Sequence, residues 1–248
     1  KQVGTGATDT GGSGRIRNYT FPTTTPNTIQ TYTLEGGDNT QAEEMEYGFV
    51  QGFKITGKPK EAVQISAEWV GRQVTTTTFT GSIAIPAVEE VVFGLAKLYL
   101  NDVTSPVGTT LVSETFMGFE LDIDTGLREV FGGDGALYFN RVKQVGPTGT
   151  LQITFEHNGS AVAEKAKRKS KTSRAVRLLL EGSTFTTAGA TYSKKSVVID
   201  LCGRWEKFEK IDEQDGNDIV SGTLKIGYNS TLALWGRITV VNALTTLT

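Results

Sequence analysis

Cysteine and histidine are almost absent from this sequence, which contains one of each, Cys202 and His157. A disulfide framework needs paired cysteines, a zinc site of thiolates and imidazoles needs several ligands, and a Ser-His-Asp triad needs its histidine beside two partners. None of these sites is expected here. Cys202 ends a strand-like run that begins at Val197, where a buried, inert thiol is the expected role.

Long apolar runs and an excess of charge are also missing. No stretch approaches the roughly 18 apolar residues of a membrane-spanning helix, and no segment has the pattern of a signal peptide. The formal net charge is -2 at pH 7. We therefore expect no membrane partner and no non-specific binding of nucleic acid through a generally basic surface.

Glycine and threonine are plentiful instead. Glycine accounts for 29 of the 248 residues, and threonine occurs throughout, a composition typical of a turn-rich β protein. The stretch 1–26 has few apolar residues and predicts a flexible N-terminal arm, whose later part is extended and docks on another surface. We expect residues 27–248 to form a single domain, because no linker divides them.

A β-hairpin is predicted near the middle of the first half of the chain. Tyr47, Phe49, Phe53 and Ile55 occupy alternate positions, and the same alternation returns from Val63 through Ile65 and Ala67 to Trp69 after a turn that contains Pro59. Strict alternation of this kind indicates strands buried on one face, and two such strands with a tight connection form a hairpin.

A later strand has the clearest acidic face in the chain. Met117, Phe119, Leu121 and Ile123 alternate with three carboxylates, which are Glu120, Asp122 and Asp124. The spacing does not match a calcium loop, and no apolar pocket is predicted that would separate carboxylate pKa values for acid–base catalysis. The pattern favours a solvated strand face, and neither a cofactor nor an enzymatic activity is expected.

Three other segments have recognisable local signals. Ala161 to Lys171 predicts a basic helix capped by Ser160. A structural role on a solvated outer face is favoured over phosphate binding, and pairing with acidic patches of a neighbouring subunit is a third possibility. Pro86 followed by Glu89 predicts the start of a short helix. The Thr-rich stretch Gln73 to Ile85 then becomes a long connection, of a length that suggests contact with a neighbouring subunit.

These elements predict an antiparallel β-sandwich or partly closed barrel with one flanking α-helix, long loops and the N-terminal arm. Open sheets of this kind leave strand edges unpaired. Because an exposed edge is a template for pairing with another chain, the edges are candidate association sites.

The order of features between Thr31 and Val74 also indicates a family. Gly36-Gly37-Asp38-Asn39, an acidic run, an aromatic strand, the turn Gly57-Lys58-Pro59 and the strand end Trp69 to Val74 follow one another. The chain resembles the major tail tube proteins of long-tailed bacteriophages from about Gln30 onward. The resemblance implies hexameric rings that stack into a virion tail tube, assembled in the host cytoplasm, through which DNA passes without sequence-specific binding during ejection. It also implies tape measure, tail terminator and distal tail proteins as partners.

The resemblance suggests roles for two groups of residues. DNA must move freely along a tube, so acidic and small polar side chains are expected on its wall. The candidates for lumen-facing positions are Glu120, Asp122 and Asp124, or alternatively Glu46, Lys54 and Glu68. The candidates for contacts between rings are Thr75, Thr76, Thr77, Thr78 and Phe79 in the long connection, with Tyr19 and Phe21 in the arm.

A second class of function has the same composition. A β-sandwich binding module that recognises carbohydrate or another surface would show exposed coplanar aromatic side chains. Strand alternation predicts that Trp69, Trp205 and Trp235 are mostly buried, which favours the tube subunit.

Overall fold

The computed structural model describes residues 4–38, 40–81, 88–133 and 135–247. Within them the protein is mainly β, with one α-helix, α1 (Gly159–Lys169), and a 3-10 turn at Phe93–Leu95. The strands are β1 Gly4–Thr5, β2 Ala7–Thr8, β3 Arg15–Thr20, β4 Tyr32–Gly37, β5 Ala42–Gly57, β6 Gln64–Val70, β7 Gln73–Thr77, β8 Ala96–Asp102, β9 Leu111–Val112, β10 Phe116–Asp124, β11 Leu127–Val130, β12 Arg141–Gln144, β13 Thr148–Glu156, β14 Ser173–Thr184, β15 Lys194–Phe208, β16 Asp212–Gln214, β17 Asn217–Ile226, β18 Gly236–Asn242 and β19 Thr246–Leu247.

Two antiparallel layers pack against each other and share one long strand. The first layer has the order β5, β10, β13 and β17, with β6 on the outer side of β5, and the second has the order β9, β8, β14, β15, β18 and β3. The start of β15 pairs with β14 and β18, and its end pairs with β17, so this strand belongs to both layers. In the described part of the chain, the layers form a sandwich and do not close into a barrel.

One apolar core fills the space between the layers. Alternate residues of each strand point into it, and the fully buried ones include Leu121, Leu151, Leu178, Ile199 and Leu224. Full burial of such a side chain contributes about 1.5–3 kcal/mol. The predicted fold class, mainly β with an antiparallel sandwich and a flanking helix, is confirmed.

The predicted hairpin and the acidic strand face are both present. β5 and β6 pair antiparallel from Phe49 opposite Val70 to Thr56 opposite Gln64. In β10, Phe119, Leu121 and Ile123 are buried, and the carboxylates between them lie on the other face. The period of two therefore assigned both faces of β10 from Phe119 onward. Met117, which was predicted on the apolar face, lies at a bulge between Phe116 and Gly118, and Phe116 packs on the core instead.

The N-terminal segment differs from the free arm that its composition predicts. β3 pairs with β18 along its whole length, Arg15–Thr20, and with the short strand β2 at its start, so it belongs to the second layer. Arg17 is fully buried there, and its guanidinium donates hydrogen bonds to the Asn242 side chain at 2.8 Å and to the Leu244 carbonyl at 2.6 Å. The surface on which this segment docks belongs to its own chain.

The segment between β6 and β8 also differs from its prediction. Gln73–Thr77 forms β7, which pairs with the first part of β5, so the long connection begins only after it. Pro86 lies outside the described residues, and residues 88–92 that follow are not helical. Glu89 instead reaches the end of β14, where it accepts a hydrogen bond from the hydroxyl of Ser183 at 2.9 Å and pairs with Lys195.

Helix α1 forms where it was predicted, but its boundaries differ. Asn158, not Ser160, is the N-cap, and its Oδ1 accepts hydrogen bonds from the backbone N–H groups of Ser160 at 3.0 Å and Ala161 at 3.4 Å. The helix ends at Lys169, two residues before the predicted end. Asparagine is as good an N-cap as serine, and with Asn158 as the cap the helix begins at Gly159, two residues before the predicted start.

A buried ionic network holds α1 against the sheet. Glu164 Oε2 accepts from Arg174 Nε at 3.0 Å and from Trp205 Nε1 at 2.7 Å, and its Oε1 accepts from Arg174 Nη2 at 2.7 Å. Arg174 also donates to Asp102 at 2.5 Å, which in turn pairs with Lys167 at 3.2 Å. Glu164 and Arg174 are 7% and 5% exposed, so the pair is shielded from water.

The environment of Cys202 gives a first prediction. The side chain is fully buried, and burial together with the nearby Asp200 raises the pKa of its thiol to about 11. Since the thiolate is the reactive form, we expect no labelling by a thiol reagent at pH 8 in the folded protein and complete labelling after denaturation. Labelling of the native protein at the rate of a free thiol would contradict this environment.

Candidate assembly surface

The outer face of the first layer is a continuous polar surface. Paired residues on adjacent antiparallel strands share a face, and one row crosses five strands through Ser66, Lys54, Asp122, Thr150 and Lys225. A parallel row runs through Gln64, Thr56, Glu120, Gln152 and Thr223. The alternation of apolar and polar residues in each strand creates this face opposite the core.

Lys54 lies between two of the carboxylates. Its Nζ is 3.3 Å from Glu120 Oε1 and 3.0 Å from Asp122 Oδ2, and all three side chains are about half exposed. The hydrogen bonds to Asp122 and Glu120 raise the pKa of Lys54. The two alternative lumen-facing sets of the sequence analysis therefore meet here on one face.

The remaining lumen candidates fall in different places. Glu68 lies opposite Gly52, and Gly52 lies opposite Asp124, so Glu68 and Asp124 share a third row of the polar face. Asp124 forms an ion pair with Arg128, and this contact with the guanidinium lowers its pKa. Glu46 lies in the part of β5 that pairs with β7, beyond the bulge between Val50 and Gly52 and beyond Tyr47 with its positive φ of 54°, and it is not part of these rows. A lumen-facing role stays a prediction for the whole set.

Strands β6 and β7 together form an edge of the first layer. Both pair with β5, and neither pairs with a further strand in the described part of the chain. Every residue from Gln64 to Trp69 is exposed. The backbone groups on the outer side of this edge are therefore available to another strand.

The core side of this edge is apolar and uncovered. The row Ile65, Ile55, Leu121, Leu151 and Leu224 crosses the layer, and its last four members are 6% exposed or less. Ile65 at the end of the row is 72% exposed. The apolar face of the first layer thus extends to β6, where no other part of the described chain covers Ile65.

Trp69 corrects one expectation of the sequence analysis. Trp205 and Trp235 are buried, at 4% and 7% exposure, but Trp69 on β6 is 37% exposed. Its ring contacts Tyr32 edge-on, with centroids 5.8 Å apart and planes at 88°. Alternation alone could not reveal this exposure, because a strand at an edge keeps its pattern without being covered.

The candidate residues for contacts between rings are divided between two layers. Thr75, Thr76 and Thr77 lie in β7 opposite Glu44, Glu43 and Ala42, and Thr78 and the 46% exposed Phe79 follow. Tyr19 lies in β3 opposite Ile238, and Phe21 packs on Trp235 with ring centroids 4.8 Å apart. Phe21 is thus used within its own chain. A role between rings stays a prediction for this set.

The basic residues in and after α1 do not form one patch. Arg174 pairs with Glu164 and Asp102, and Arg177 donates to Asp200 at 2.6 and 2.9 Å. Lys169 and Lys171 remain exposed at the end of α1. Because Arg174 and Arg177 are engaged in ion pairs, the segment from α1 into β14 offers fewer free cations than its sequence indicates.

The described residues provide no group of three or more histidine, cysteine, aspartate or glutamate side chains placed to hold a metal ion. Among the same residues, α1 is too short and too polar to cross a bilayer, and no helix meets that requirement.

Neither a comparison with protein-family models nor a search of curated proteins found a match to this sequence.

Proposed function

We propose that the chain is a structural subunit that assembles with copies of itself into rings, and that the rings stack into a tube. The observation that carries this proposal is the unpaired β6–β7 edge with its apolar side exposed at Ile65 and Trp69. Pairing of this edge with the sheet of a second copy would extend the first layer and cover the exposed side chains.

The polar face would then line the channel of the tube. On strands β6 to β17 its rows carry threonine, serine and glutamine with four carboxylates and two lysines, and beyond β17 two of the rows continue to Arg204 and Lys207 of β15. The acidic part of such a wall would repel the phosphate backbone, and its rows carry no aromatic side chain on which bases could stack, so DNA would pass without being held. The proposed role is that of a phage tail tube protein, which forms the conduit for DNA ejection.

The partners and location proposed with this function are those of a virion tail. The subunits would assemble in the host cytoplasm and meet tape measure, terminator and distal tail proteins in the particle. No catalytic role is proposed, and DNA contact would be transient and independent of sequence.

The proposal is tested by examining the purified protein over a concentration series with negative-stain electron microscopy and sedimentation velocity. We expect rings or hollow tubes above a threshold concentration, with the polar face on the inside of a reconstruction. If the protein stays a folded monomer at all concentrations and binds glycans on an array, the proposed tube subunit is wrong and a surface-binding module takes its place.

A further inference from the structure

A short loop between β11 and β12 displays large apolar side chains to solvent. We call residues 131–133 and 135–140 the finger. Phe131 is 64% exposed and Leu137 is 99% exposed, so Leu137 is almost free of contact with its own chain. Large apolar side chains that a loop exposes to solvent indicate a candidate binding surface.

The base of the finger packs against the first layer. Phe139 is 2% exposed, and its ring lies against Tyr47, Phe49 and Phe131 with centroid distances of 5.9, 6.0 and 6.2 Å. Arg72 stacks over Tyr47 at 4.2 Å. The finger is therefore anchored at Phe139, and Leu137 extends from this anchored base into solvent.

An open groove lies between β4, β5 and β7. Its volume is about 570 Å³, its apolar floor includes Leu34, Met45 and Val74, and Val74 is 59% exposed. Its rim carries the carboxylates of Glu35, Asp38 and Glu43. The groove of the same chain is not occupied by Leu137, because Leu137 is almost fully exposed.

The charges of the two surfaces are complementary. Arg141 and Lys143 lie on the exposed face of β12, directly after the finger, and no ion pair joins either of them to another described residue. The segment 35–46 around the groove has five carboxylates, Glu35, Asp38, Glu43, Glu44 and Glu46, and no basic residue. Opposite charges around an apolar contact fix its orientation and speed its formation.

We infer that the finger of one copy inserts into the groove of a second copy, with Leu137 on the apolar floor and the β12 cations beside the acidic rim. This inference rests on the proposed self-assembly and identifies a contact separate from the β6–β7 edge. A knob and a complementary pocket on the same chain form a heterologous contact, which propagates from copy to copy.

A disulfide cross-link provides the test. The double variant Leu137→Cys with Val74→Cys places one thiol on the tip and one on the groove floor, while the buried Cys202 stays unreactive. The matched control, Leu137→Cys with Val162→Cys, moves the second thiol to the exposed face of α1, where Val162 is 53% exposed. After mild oxidation of assembled protein, we expect a ladder of covalent oligomers for the first variant and none above background for the control.

A second variant measures the contribution of the tip. Leu137→Ser should leave the circular dichroism and melting temperature of the monomer unchanged and raise the threshold concentration for assembly by about tenfold. Assembly of the cysteine variant without a ladder, together with an unchanged threshold for Leu137→Ser, would overturn the inference and leave the proposed function intact. If the wild-type protein does not assemble at all, both fail.

Discussion

Replacement of Glu164 by alanine is expected to lower the free energy of unfolding by about 3–5 kcal/mol, because it leaves a buried cation without its main partner. Arg174 is 5% exposed and would lose two of its hydrogen bonds, and Trp205 would lose its acceptor. For a chain of this length, a loss of 1 kcal/mol lowers Tm by roughly 2–4 °C, so the melting temperature should fall by about 6–20 °C.

The measurement is chemical denaturation of Glu164→Ala, followed by a double-mutant cycle of Glu164→Met, Arg174→Met and the double variant. We expect the double variant to lose less stability than the sum of the single variants, since neither charge is then left buried alone. Lys165→Ala is the matched control on the same helix, because Lys165 has no ion-pair partner among the described residues, and its effect should stay within about 0.5 kcal/mol. Additive losses would show that the pair contributes little.

The sequence was sufficient for features that depend on alternation along one strand. The hairpin from Phe49 to Val70 and the acidic face of β10 follow from a period of two, which any strand keeps whatever its neighbours are. The basic helix was also predictable, because its run of helix formers acts locally, but the predicted cap, Ser160, was wrong and Asn158 is the cap.

Features that depend on distant partners were not predictable. Arg17 becomes a buried residue only because β18, more than 200 positions away, pairs with β3. Glu164, Arg174 and Trp205 meet through the packing of α1 on β15, and no spacing in the sequence indicates this network. The Thr-rich strand β7 did carry a usable signal, since threonine and valine favour strands, but its weak alternation favoured a loop.

The candidate site was predicted in part. Glu120, Asp122 and Lys54 were named in two alternative sets, and the register of β5 and β10 brings all three together. The exposure of Ile65 could not be predicted, because burial at a sheet edge depends on what lies beyond the edge. The strongest support for the proposed assembly is therefore Ile65, which alternation places on the buried face of β6 and which its own chain leaves exposed.

A double lysine variant of the edge, Ile65→Lys with Trp69→Lys, is expected to abolish assembly and to leave the monomer folded. Ile65 is 72% exposed and Trp69 is 37% exposed, so most of the Ile65 surface and about a third of the Trp69 surface remain to be buried when a second copy covers the edge. Full burial of a large apolar side chain contributes about 1.5–3 kcal/mol, and these exposed fractions of two side chains together contribute about 2–3 kcal/mol. Their loss corresponds to a rise of about 100-fold in the threshold concentration.

Lysine also opposes the contact directly, since a charge on an edge strand must lose its hydration before another strand can pair there. Val162→Lys is the matched control, because Val162 is 53% exposed on α1 and lies away from the edge. Sedimentation velocity gives the threshold for each variant, and circular dichroism confirms that both remain folded. Tubes formed by the edge variant at the wild-type threshold would exclude β6 from the interface. Loss of tubes in the edge variant alone would identify β6 as the strand through which one subunit continues the sheet of the next.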